Sequence, residues 1–177
     1  MVRFWRHSST TEFEAELKGR NPMSRNRLLA LAAFVILCVV VAGIGGLATA
    51  PSIPNWYASL AKPSWTPPGW IFGPVWSVLY LSMAVAAWVV WRRGNAAVPM
   101  TLFGVQLVFN AAWSWLFFRL HSPGAAFIDI VLLWMAITAT TAVFWQRSSL
   151  AGILFVPYLM WVSFAAVLNF AIWRMNG

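Results

Sequence analysis

Long uncharged stretches alternate with short charged or proline-marked breaks along this chain. Leu28 to Ala61, Pro63 to Trp91, Gly94 to Phe118, Ile130 to Gln146 and Ser148 to Trp173 carry no Asp, Glu, Lys or Arg. A helix needs about 20 apolar residues to cross the hydrocarbon of a bilayer. The pattern predicts five spans: Leu28 to Thr49, Pro74 to Trp91, Pro99 to Phe118, Pro123 to Trp145 and Leu150 to Trp173. The fourth crosses one acid, Asp129. Pro74, Pro99 and Pro123 sit where a first helical turn tolerates a missing N–H, and Ser122 stands at an N-cap position. Arg92, Arg93 and Gly94 close the second span with cations at the negative helix end and a residue that accepts positive φ. No period-2 alternation survives, so a barrel is excluded. The loops after spans two, three and four are short, which predicts that consecutive helices are antiparallel neighbours. The expected fold is an all-α membrane protein, a five-transmembrane-helix bundle.

Composition supports this and adds a boundary. Of 177 residues, 61% are hydrophobic and only 9% charged, with a mean hydropathy of +0.73. A soluble domain carries about a quarter charged residues, and disordered or fibrous chains need low hydrophobicity or a strict repeat. Residues 1–26 differ: they hold Glu12, Glu14 and Glu16, three of the four acids, and read as a polar, disordered tail before a single domain over 27–177. Met23 offers an alternative start. One side of the predicted bundle holds Arg3, Arg6, Lys18, Arg20, Arg25, Arg27, Arg92, Arg93 and Arg147, the other Lys62, Arg119 and Arg174. Nine against three places the N-terminus inside and the C-terminus outside. The same juxtamembrane cations account for the basic excess, so no nucleic-acid partner is expected; the lipid bilayer is. The apolar first run is too long for a secretory signal. Cys38, the one cysteine, reads as a small core residue.

Catalytic chemistry is hard to find. The two histidines, His7 and His121, lie far from any paired nucleophile, and no metal, haem-ligand or paired-carboxylate set is present. Asp129 is either a transport or proton group or a structural acid hydrogen-bonded near the bundle end. Thirteen tryptophans are more informative. Trp91, Trp145 and Trp173 mark span ends and suit interfacial belts. Others line inward faces at three- and four-residue steps: Trp76, Tyr80, Met83, Ala84 and Ala87 on span two; Gln106, Asn110, Trp113 and Phe117 on span three; Trp161, Ala165, Leu168 and Asn169 on span five.

An amide unpaired in lipid is expensive, so Gln106, Asn110 and Asn169 should face the interior. They either bond helix to helix or furnish the polar points of an aromatic pocket. Pro157 in mid-span five should bend that helix and open room near Trp161. The segment from Ala50 to Phe72, rich in Pro and Trp, is either a lid over such a pocket or an interface-anchored plug.

Three blocks carry a resemblance: WYASLAKPSWTPPGWIFGPVW (Trp56 to Trp76), QLVFNAAWSWLFF (Gln106 to Phe118) and FVPYLMWVSFAAVLNFAIWRMN (Phe155 to Asn176). In this order, and with five spans, the chain from about Leu28 onward resembles the tryptophan-rich sensory protein / translocator protein family, which includes the peripheral benzodiazepine receptors. The resemblance implies a bundle, commonly a homodimer, that binds porphyrin, haem and benzodiazepine-type ligands in a pocket closed by the long first loop. It requires no cofactor. By position, the implied ligand-binding residues are Tyr57, Pro67, Trp76, Tyr80, Gln106, Asn110, Trp113, Trp161, Ala165 and Asn169. Phe170 stands where the family's sterol pattern has a tyrosine, so no dedicated sterol site is expected.

Three function classes follow. A tetrapyrrole-binding membrane receptor or sensor with a regulatory role needs only the pocket and is the favoured reading. A transporter of porphyrins or related lipophilic molecules would need a second conformation, and no inverted repeat supports one. A porphyrin-degrading enzyme is implied by the resemblance alone, with Trp76 and Trp161 as the reactive candidates and no acid–base set to assist. The family setting implies a multi-pass protein of a bacterial cell membrane. The rows Ala42, Gly46, Ala50 and Gly104, Val108, Ala112 let backbones approach, either between two copies in the expected homodimer or inside one protomer.

Overall fold

The computed structural model describes residues 25–177, and the expected tail lies outside them except for Arg25 and Asn26, which already belong to the first helix. Five helices are long and apolar enough to cross a membrane. We number them α1 (Arg25–Thr49), α2 (Phe72–Trp91), α3 (Ala97–Ser114), α4 (Pro123–Arg147) and α5 (Ser149–Asn176). There is no strand among the described residues. A 3₁₀ turn, Gly69–Ile71, leads into α2, and a π-helical turn, Trp115–Arg119, extends α3. Each helix thus reaches a little beyond its predicted span, because polar and aromatic residues at the interface continue the backbone ladder. Gly94 takes φ +74° after α2, as expected of its position. Ser122 precedes α4 but its hydroxyl makes no capping bond.

One expectation is corrected. α2 and α3 are joined by a short turn yet touch only sparsely. The helices close a ring in the order α1, α2, α5, α4, α3, so α1 sits between α2 and α3. A short connection fixes which ends meet, not which flanks pack. On one side of α1, Trp88 of α2 donates its indole N–H to the Arg27 carbonyl at 2.9 Å. On the other, Phe34 meets Phe103 of α3 edge-on at 6.1 Å, and a Cβ on Gly45 would lie 3.1 Å from the Ser114 hydroxyl. The α4–α5 seam is tighter still. Trp145 lies over Gly152 and Trp173 over Gly124, close enough that a Cβ on Gly152 would come within 2.4 Å of the indole.

The inward stripes match the helical period. Met83, Ala84 and Ala87 on α2, Gln106 and Asn110 on α3, and Leu168 and Asn169 on α5 are buried. Leu81, Val108 and Val167 on the opposite faces are exposed, as helices solvated by hydrocarbon require. Cys38 is buried in the core.

Candidate ligand site

Three of the expected residues meet through one that the sequence reading passed over. Tyr80 on α2 donates its hydroxyl to Asn110 Oδ1 on α3. Asn110 Nδ2 donates to the Tyr158 hydroxyl on α5 at 2.9 Å, and that hydroxyl donates to Gln106 Oε1 at 3.0 Å. All four side chains are buried. Trp76 roofs this chain, its ring 5.5 Å from Tyr80 and 6.1 Å from Tyr158. Tyr158 was legible in principle: it stands three residues before Trp161 and so shares its helix face.

The network spends the amides unequally. Both ends of Asn110 are used. Asn169 is used as well, accepting from Trp113 Nε1 at 2.9 Å and donating to the Pro123 carbonyl at 2.8 Å, so it ties α3, α5 and the start of α4 together. Gln106 Nε2 alone of the three amides is buried without a partner among the described residues. A buried donor left unmade costs about 1–3 kcal/mol. The interhelical reading therefore accounts for Asn110 and Asn169, while Gln106 keeps a donor in reserve. Asp129 Oδ2 is likewise buried without a partner, on the inward stripe of α4 with Ala126, Ile130 and Leu133. The hydrogen bond expected of a structural acid is not present at that oxygen.

Of the remaining expected residues, Trp113, Trp161 and Ala165 pack against the same core, and Tyr57 packs in a second cluster around Phe117. Trp161 packs edge-on against Phe72 at 5.7 Å and beside Phe164 at 5.7 Å, and Trp65 from the long loop meets Phe164 at 5.8 Å. Ala165 is half-buried against the same core. Trp113 stacks on Phe117 at 5.3 Å, and Tyr57 lies 6.3 Å from Phe117. Burial pushes the Tyr57 phenol above its ordinary value, which keeps it neutral. Pro67 is half-buried in the loop.

The loop between α1 and α2 is fastened at several points. Ser52 donates to the Phe118 carbonyl, and Trp56 stacks on His121 at 4.3 Å. His121 holds φ +50°, a conformation that a non-glycine residue seldom takes and that turns its ring toward the loop. Lys62 Nζ donates to the carbonyls of Tyr57, Leu60 and Ala58 at 2.6, 2.9 and 3.3 Å. Ala61 N–H donates to Asn176 Oδ1, and Asn176 Nδ2 donates back to the Ala61 carbonyl, both at 2.9 Å. Neither Asn176 nor His121 was singled out from sequence for this role, because each partner lies far away in the chain.

A groove of about 600 Å³ opens between α2 and α5, with Val75, Leu79 and Trp161 among its lining. Trp161 is the one residue it shares with the ten expected site positions. Among the described residues no group of three or more His, Cys, Asp or Glu is placed to hold a metal ion.

Known proteins carry the same pattern. The sequence profile of the TspO/MBR family matches residues 34–174. The tryptophan-rich protein TspO of Chlorobaculum tepidum is 43% identical over 155 residues, covering 85% of this chain and 98% of that protein. The protein CrtK of Rhodobacter capsulatus is 37% identical, covering 84% and 95%. The translocator protein of Homo sapiens is 43% identical over 127 residues, covering 69% and 75%. A match over most of the chain, at this identity and on a bundle of five apolar helices, has one reading: this multi-pass membrane protein belongs to the TspO/MBR family.

Proposed function

We propose that the protein is a membrane sensor that binds tetrapyrroles, porphyrin or haem, against the aromatic wall around Trp76 and Trp161. The observation that carries the reading is the buried chain Tyr80, Asn110, Tyr158 and Gln106, which ends in an amide donor with no partner among the described residues. A flat conjugated ring suits aromatic walls, and a polar edge on that ring would accept from Gln106 Nε2. The names of relatives, CrtK and tryptophan-rich sensory protein, support a regulatory role. No step of catalysis is needed for sensing, so Trp76 and Trp161 act as binding surfaces.

Tyr80 and Tyr158, the phenols beside Trp76, both donate their hydroxyls to amide oxygens. Recognition then rests on the ring faces, and protoporphyrin IX and haem should bind with dissociation constants within about tenfold of each other. The test is quenching of tryptophan emission on titration with protoporphyrin IX, corrected for inner-filter effects, with Trp161→Phe and Gln106→Leu beside wild type. Saturable quenching that weakens about tenfold in Gln106→Leu, a loss of one hydrogen bond, supports the site. Non-saturable quenching equal in all three would reduce the interaction to partition into lipid.

Two further features complete the proposal. Gly46 and Gly104 have open space where a Cβ would point, so their small-residue rows face outward and suit a homodimer contact. Arg25, Arg27, Arg92, Arg93 and Arg147 gather at the end of the bundle opposite Lys62, Arg119 and Arg174, which supports an orientation with the former end on the inner side of a bacterial cell membrane.

A further inference from the structure

We infer that the groove between α2 and α5 is a lateral portal, through which a flat lipophilic ligand dissolved in the bilayer reaches the Trp161 wall. The inference rests on the ligand reading above and gives it a route.

Position argues first. Val78 and Met160 at the groove mouth are 64% and 68% exposed on helices that span the membrane, so the groove opens to hydrocarbon. Its volume of about 600 Å³ is that of a small-molecule site. No side chain with a polar group other than the Trp161 indole lines it. An occupant from this side therefore leads with an apolar face and comes from the bilayer.

Continuity argues second. Pro157 lines the groove while the next residue, Tyr158, is fully buried in the polar network. Trp161, one turn on, lines the groove and packs against the same core as Trp76 and Ala165. A single turn of α5 thus presents the groove on one side and the candidate site on the other. Pro157 also lacks the N–H that would bond the Ile153 carbonyl, so α5 is softest where the portal must widen.

Closure elsewhere argues third. At the loop end a ligand would have to part the paired hydrogen bonds of Ala61 and Asn176, the Trp56 stack on His121 and the Lys62 contacts to three carbonyls. Between α2 and α5 it meets only apolar side chains.

The test is stopped-flow transfer of protoporphyrin IX from phosphatidylcholine vesicles to protein in phosphatidylcholine proteoliposomes, read by porphyrin emission. The plugged variant Val78→Phe/Met160→Phe is compared with Leu81→Phe/Val167→Phe, whose positions are equally lipid-exposed but outside the groove. Association and dissociation rates should both fall by about fivefold or more in the plugged variant, with equilibrium affinity within about twofold, and stay unchanged in the control pair. Unchanged rates in the plugged variant, with wild type binding saturably, overturn the portal. So does an affinity loss carried by faster dissociation with association unchanged, which would make the groove the resident site. Faster exchange in Asn176→Ala with no effect of the plug would move access to the loop end and overturn it equally. Absence of saturable binding in wild type would instead remove the ligand reading on which the portal rests.

Discussion

Single atoms decide what the buried polar residues do. The Tyr158 hydroxyl is both acceptor and donor, so Tyr158→Phe breaks two bonds and strands Asn110 Nδ2. Interhelical bonds in membranes are worth about 0.6–2 kcal/mol each, and the variant should melt a few degrees lower by a thermal unfolding assay in detergent. Gln106→Leu is the contrasting case: it removes an unsatisfied donor but also takes the acceptor from the Tyr158 hydroxyl, so the two effects offset and its melting temperature should move little while affinity falls. Asp129→Leu follows the same logic. With Oδ2 buried and unpartnered, the substitution should stabilise the protein by about 1–3 kcal/mol, read from the same melting curve. A fold that collapses in this variant would reveal a bond for Asp129 that the structure does not contain. How much of this was legible in sequence depends on the periodicity of the helix. That Gln106, Asn110 and Asn169 face inward follows from a 3.6-residue repeat in lipid. Which amide is spent on Pro123 and which is held back depends on distances of a few tenths of an ångström, and no pattern of residue types encodes those.

The helices show the same division at a larger scale. Their number and approximate limits were readable, because charge-free runs of about 20 residues have one explanation in a bilayer. Their ring order was not, since the turn from Arg92 to Ala96 ties ends while α1 takes the space between α2 and α3. Small residues make the remaining contacts possible. Gly152→Ala would place a methyl group within 2.4 to 2.9 Å of three atoms of Trp145, its Cβ among them, so the indole cannot simply swing aside. Overpacking of this kind costs about 1–3 kcal/mol, and the variant should lose melting temperature accordingly. At Gly46, where nothing lies within 4 Å, Gly46→Ala should leave the protomer's melting unchanged, and a reduced crosslinked-dimer fraction would locate the contact between copies.

At the scale of the whole molecule, the loop and the bundle form one body held by paired amide bonds across more than a hundred residues of chain. Asn176→Ala removes both, and hydrogen exchange at the Ala61 amide should accelerate by about tenfold or more as that segment opens locally. Exchange unchanged from wild type would mean that the Trp56 and Lys62 contacts hold the loop alone. Orientation is tested at this scale too. In a Cys38→Ser background, Ser64→Cys should react with an impermeant thiol reagent added outside intact cells, and Ala97→Cys only after permeabilisation. The ring order carries one more consequence. α2 and α5 are the ring neighbours whose midpoints lie farthest apart along the chain, so closing them against each other forfeits the most chain entropy of any seam in the ring. The wall that holds the groove should thus be the last set in place during folding, and in a weakened variant its backbone amides should be the first of the bundle to exchange.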